Sequence, residues 1–177
     1  MLESLTVERG PLNGLHIPEL KNINIFTGAN GVGKSLLIEQ LRIATEAKVK
    51  PDNAELRRDL RNKATKLIPL NTDGAFYLCS ILSRGFNSGC IDNFDNNLHP
   101  SIFKSLWELL FEITYKLDRQ LFIVSYNPST TISATEVALQ QPYHQRGLIF
   151  YRLEKQKAFS YNLDELYIAQ KHNMFIY

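Results

Sequence analysis

Apolar residues recur at helical spacing after a glycine-rich stretch: Leu36, Leu37, Ile38, Leu41 and Ile43 predict a helix from about Lys34 to near Lys48, stopped by Pro51. Just upstream, Ile23-Asn24-Ile25-Phe26 alternates apolar and polar residues as a strand does. Leu5 to Glu8 and Leu15 to Ile17 read as a hairpin turned by Gly10-Pro11 and Asn13-Gly14, with Pro18 ending it. A second helix is expected from Asp52 to Lys66, with a narrow stripe of Leu56, Leu60, Ala64 and Leu67, and an apolar helix from Gly74 to Arg84. Cys90-Ile91-Asp92 reads as a short buried strand. From Pro100 to about Leu117, Ile102, Leu106, Leu109, Leu110, Ile113 and Leu117 line one helix face, widened by Phe103 and Trp107 as core residues. Leu121 to Val124 is a continuous apolar run that suits a strand covered on both faces, ended by Ser125-Tyr126-Asn127-Pro128. Gly147 to Leu153 and Ala158 to Asn162 read as an antiparallel hairpin, after which Asp164 is expected to cap a last short helix. Strands alternating with helices predict a three-layer α/β domain, its sheet mainly parallel with antiparallel edge hairpins.

Composition narrows this picture only a little. A chain of 177 residues with 44% hydrophobic and 21% charged content suits one compact domain spanning 1–177. Twenty basic against eighteen acidic residues leave a net charge of +2, too little to announce nucleic acid or an anionic membrane. Arg57, Arg58, Arg61, Lys63 and Lys66 form the one basic cluster, read either as a solvated helix face or as a contact for nucleic acid or an acidic partner. Cys79 and Cys90 are too few for a disulfide framework and read as core thiols in a reducing compartment. No apolar stretch approaches the ~20 residues of a membrane span, and MLESLTVERG lacks the features of a signal peptide, so a cytosolic protein is expected.

The candidate chemistry lies in Gly28-Ala29-Asn30-Gly31-Val32-Gly33-Lys34-Ser35, which has the form G-x-x-x-x-G-K-S between the expected strand and helix. Such a loop cradles phosphates when its backbone N–H groups converge, which needs glycines at positive φ. Lys34 then reaches the β and γ phosphates, Ser35 ligates Mg²⁺, and the helix N-terminus adds partial positive charge; Leu36 continues the site into the helix. ATP or GTP with Mg²⁺ fits this chemistry. An acidic residue at the end of a neighbouring strand normally completes the metal site, and Asp92 is the candidate, with a strand-end turn as its alternative role.

The stretch CIDNFDNNLHP, at Cys90 to Pro100, resembles the second nucleotide motif of ABC-type ATPases of the RecF, SMC and OLD-like groups, I-D-E-x-E-N-x-L-H-P. Ile91-Asp92, Asn96 and Leu98-His99-Pro100 carry the match, together with the loop form G-x-N-G-x-G-K-S. The resemblance implies a P-loop NTPase fold, ATP with Mg²⁺, and a homodimer or a heteromer with another ATPase or effector subunit. Asp73, Gly74 and His99 then become candidate dimer contacts, since Asn71 to Gly74 lies where the family's signature segment would.

Departures from the family pattern bear on catalysis. Asn93 stands where the family has its catalytic Glu, and an amide cannot take a proton from water at neutral pH. Tyr126 stands where the family has a switch histidine, and no Gln occurs between Gln40 and Gln120 to sense metal and water. Asp95 is the candidate stand-in base. The family's long arm is absent or reduced to about 48–69. The resemblance therefore implies a nucleotide-gated switch with weak or no hydrolysis. Its alternatives are an active ATPase in DNA repair or defence against foreign DNA, and an inhibitory mimic of an ATPase subunit that binds no nucleotide.

Overall fold

A computed structural model describes residues 1–45, 54–67, 88–96, 98–172 and 174. A short hairpin, β1 (Leu5–Thr6) and β2 (His16–Ile17), forms its own two-stranded antiparallel sheet, with the 3-10 turn Gly10–Leu12 between its strands. Strand β3 (Ile23–Gly28) then leads through the glycine loop into α1 (Lys34–Thr45). Helix α2 (Ala54–Leu67) precedes β4 (Ser88–Ile91), and a 3-10 turn at Pro100–Ile102 opens α3 (Phe103–Lys116). Strand β5 (Gln120–Val124), helices α4 (Pro128–Leu139) and α5 (Pro142–Gly147), the hairpin β6 (Leu148–Glu154) and β7 (Lys157–Tyr161), and α6 (Leu163–Lys171) complete the order.

Among the described residues, five strands form the main sheet in the order β4-β5-β3-β6-β7, parallel except for the antiparallel strand β7. This is the expected mainly parallel sheet with antiparallel hairpins. Its two faces are buried in separate cores. Ile23, Ile25, Leu121, Ile123, Leu148 and Phe150 face α3, α4 and α6, while Phe26, Phe122, Val124, Ile149 and Tyr151 face α1 and the N-terminal hairpin. The alternation in β3 therefore does not separate inside from outside. Asn24 is fully buried and spends its amide on the backbone, donating to Lys21 O at 2.7 Å and Leu121 O at 3.1 Å and accepting from Lys21 N at 2.8 Å.

Three further expectations change. Strand β4, which carries Asp92 at its end, is not the neighbour of the loop strand, because β5 lies between them. Asn162, not Asp164, caps α6: its Oδ1 accepts from Glu165 N at 3.0 Å while Glu165 Oε2 accepts from Asn162 N at 2.8 Å. Residues 128–146 hold two helices that hydrophobic spacing does not announce. The inward positions of α4 are Thr130, Thr131, Ala134, Thr135 and Ala138 beside Val137, so its buried face is mostly small or hydroxylic. The expected helix from Gly74 to Arg84, with Cys79, lies outside the described residues, and Cys90 is half-buried against the second core. Among the described residues no helix is long and apolar enough to cross a membrane.

Candidate functional site

The carboxyl ends of β3, β4 and β5 converge on one edge of the sheet, where crevices of open parallel sheets take their ligands. Their ends are tied beyond the ladders: Phe94 N donates to Val124 O at 3.1 Å and Ser125 N to Phe26 O at 3.2 Å. The three turns that follow these strands are thereby held together.

The turn after β3 is the glycine loop. Gly28, Gly31 and Gly33 all have positive φ, at 140°, 78° and 109°. Gly28 and Gly33 are also sites of close approach. A Cβ on Gly28 would fall on the Leu153 carbonyl oxygen of β6, and one on Gly33 would lie 3.0 Å from Leu12 Cγ. The 3-10 turn at Gly10–Leu12 thus supports the loop from below, with Val32 packed against the same core. Ala29, Asn30 and Gly31 are exposed, Ser35 is exposed in the first turn of α1, and Leu36 is half-buried.

Lys34 is only 3% exposed. Its Nζ donates to Gly28 O at 2.6 Å and Ala29 O at 2.8 Å, so the ammonium folds back onto its own loop. Burial pushes its pKa down, and the nearby Asp92 carboxylate partly opposes that. Asp92 therefore shares a local field with the loop lysine across the intervening strand.

The turn after β4 carries Asp92, Asn93 and Asp95. Asp92 Oδ1 accepts from Asn93 N at 3.0 Å, and Asn93 takes φ of 52°, a left-handed conformation that asparagine tolerates better than most residues. Next, Phe94 is buried against Trp107 with ring centroids 5.1 Å apart, which pins the turn to α3. Asp95 Oδ2 accepts three hydrogen bonds, from Asn127 N at 2.7 Å, Ser125 Oγ at 3.0 Å and Thr130 Oγ1 at 3.2 Å. This carboxylate clasps the turn after β5.

That turn holds Tyr126 between the clasped Ser125 and Asn127. Asn127 caps α4 by accepting from Ser129 N at 2.9 Å, with Pro128 at the first helical position. Tyr126 itself is 42% exposed, and its ring lies over Lys34 with Nζ 4.3 Å from the centroid. The phenol pKa is raised by burial first, then by the Asp92 and Asp95 charges, with the Ser35 hydroxyl opposing.

His99 sits apart from these contacts, exposed at the start of the turn before α3; its Nδ1 accepts from Ser101 N at 3.3 Å. Asp73 and Gly74 lie outside the described residues. In the basic helix α2, Lys63 is committed to α3, pairing with Glu112 at 2.7 Å, and Lys116 meets the same carboxylate at 2.7 Å.

Sequence reasoning did not single out Arg152, Lys155 and Lys157. With the backbone of Gly28–Val32 they line a cavity of about 650 Å³ between the loop and the β6–β7 hairpin. Arg152 pairs with Glu154 at 2.7 Å and stacks on Phe159, with its guanidinium carbon 5.3 Å from the ring centroid, and its buried Nε has no hydrogen-bond partner among the described residues. The signal was a cluster of basic residues at a hairpin tip, visible only once the hairpin is placed beside the loop.

No family model and no curated protein matches this sequence. Solved structures do match its fold. cbiO1 from Clostridium perfringens, part of the ABC transporter complex cbiONQ, aligns with a TM-score of 0.56 at 12% identity over 92% of this chain and 86% of that one. MJ1267, an ATP-binding cassette of an ABC transporter, aligns in its ADP conformation with a TM-score of 0.54 at 12% identity, over 96% and 92% of the two chains. A second structure of MJ1267 gives a TM-score of 0.53, also at 12% identity, over 91% and 89%. The chain therefore has the P-loop fold of ATP-binding cassettes. These likenesses do not extend to the RecF, SMC and OLD-like subgroup.

Proposed function

We propose that this chain binds Mg-ATP as a minimal ATP-binding-cassette head and turns it over weakly or not at all, so that occupancy works as a switch. The observation that supports binding most directly is the loop itself: three glycines at positive φ, followed by a lysine and a hydroxyl at the start of a helix. Ser35, next to Lys34 in the chain, and Asp92, whose charge acts on Lys34, offer hard oxygen donors, a set that suits Mg²⁺. Bound there, the ion would neutralise phosphate charge. The cavity beside Gly28–Val32 offers room for a nucleoside, with basic groups at its edge.

Weak turnover is supported by the residues opposite. Asn93 has no carboxylate to activate water, and Tyr126 is a phenol where an imidazole would be needed. Asp95, the candidate stand-in base, has one oxygen engaged by three internal donors, which favours a positioning role over proton abstraction. An active ATPase would have to draw its base from Asp95 or from a partner. In the switch reading the γ-phosphate is met by a facing subunit, either a second copy or a complete ATPase, with Asp73, Gly74 and His99 as candidate contacts. We read the chain as a single cytosolic domain whose arm is absent or reduced to about 48–69, a stretch that includes α2. The match of Ile91-Asp92 and Leu98-His99-Pro100 is what supports the RecF, SMC and OLD-like subgroup.

Isothermal calorimetry with Mg-ATP tests the reading. The wild type should release heat with one site per chain, and Lys34→Ala should not. No heat from either protein would favour the mimic that binds no nucleotide.

A further inference from the structure

Nζ of Lys34 lies 4.3 Å from the centroid of the Tyr126 ring and donates to two carbonyls of its own loop. The cation therefore faces an aromatic surface on one side and its backbone partners on the other, where a phosphate would be its partner in a loaded loop. Ser35, the hydroxyl suited to the metal, follows Lys34 in the first turn of α1 and stays exposed. One side chain thus covers the cation that a Mg-triphosphate needs.

The covering side chain is held from behind. Ser125 and Asn127, the residues on either side of Tyr126, both donate to Asp95 Oδ2, and Thr130 of α4 adds a third bond. Asn127 is also the cap of α4, so the turn has little freedom to drift. Tyr126 nevertheless remains 42% exposed, which leaves its ring free to swing outward without opening the core.

We infer that Tyr126 is a latch that closes the phosphate loop against its ligand in the resting chain, with Asp95 as the positioning residue that holds the latch over Lys34. The inference rests on the nucleotide reading of the loop and adds its regulation. Ligand entry requires the ring to leave Lys34, so affinity is set partly by the cost of opening. A partner that draws the Tyr126 ring outward would load the site.

The test combines two readouts on the full chain, since Tyr126→Ala removes a partly exposed side chain and should fold. By NMR, the ε-methylene protons of Lys34 should be shifted upfield by the ring in the wild type without ligand, and should lose that shift in Tyr126→Ala or on adding Mg-ATP. By calorimetry, Tyr126→Ala should bind Mg-ATP about three- to thirty-fold more tightly, the range set by removal of a cation–aromatic contact. Tyr126→Phe keeps the ring, so it should keep the Lys34 shift and bind Mg-ATP about as the wild type does. An unshifted Lys34 in the free wild type, or affinity that is unchanged or weaker in Tyr126→Ala, would overturn the latch. A clear ring shift with no binding by either protein would instead support the closed contact and overturn the nucleotide reading.

Discussion

The loop after β3 and the turns after β4 and β5 lie at the same carboxyl edge of the sheet, yet they settle their polar groups in different ways. The loop uses glycines to hold φ values that other residues avoid, and its exposed backbone runs past Ala29, Asn30 and Gly31. Opposite, the side chains close on one another: Asp92 accepts from Asn93, and Asp95 clasps Ser125, Asn127 and Thr130. The difference teaches that one wall, the receiving one in the proposed reading, leaves backbone exposed, whereas the other is spent on holding its own shape.

The largest expected effect breaks the receiving wall at its charge. Lys34→Ala should weaken Mg-ATP binding at least ten- to hundred-fold, as loss of charge-assisted hydrogen bonds of about 1.5–3 kcal/mol implies, read by calorimetry. Gly28→Ala should come next, this time in stability. Its Cβ meets the Leu153 carbonyl at a φ of 140°, so chemical denaturation should show a loss of about 2–3 kcal/mol. Gly31→Ala has open space around it and should lose only the backbone cost of about 1 kcal/mol.

On the opposite wall, Asn93→Glu supplies the missing carboxylate. It should raise steady-state phosphate release above the wild type while costing about 1 kcal/mol for a left-handed residue at φ of 52°. No gain in turnover would mean that the Tyr126 position limits the reaction instead.

Far from the cleft, the pair of lysines on Glu112 gives the smallest effect. Burial raises the Glu112 pKa, but the Lys116 and Lys63 ammoniums outweigh it and hold the carboxyl below its ordinary value. A folded pKa below the unfolded one means stability present above pH 4.5 and lost as pH falls through the folded value. Glu112→Gln should therefore lower stability at pH 7 by less than about 1 kcal/mol and should flatten the acid limb of the melting curve.

The loop and its flanks were legible because glycine spacing, an apolar run and a helical stripe lie within a few residues of one another, all local signals. The continuous run at Leu121 to Val124 likewise gave the covered strand β5 directly. Helix α4 was not legible from spacing, because its inward face is largely threonine and alanine, although Asn127-Pro128 marks its start. Strand order was also hidden: nothing within β4 states that β5 separates it from β3. Asp95 was picked out for its charge, and its partners 30 to 35 positions away became visible only in three dimensions. The basic tip of the β6–β7 hairpin escaped notice for the same reason.

Single-turnover chemistry addresses the central claim most directly. With protein in excess over ATP and Mg²⁺ present, rapid quench and filter retention should show nucleotide held by the wild type and recovered almost entirely as ATP, and not held by Lys34→Ala. Prompt release of phosphate that disappears in Asp95→Ala, or failure of the wild type to retain any nucleotide, would contradict the account.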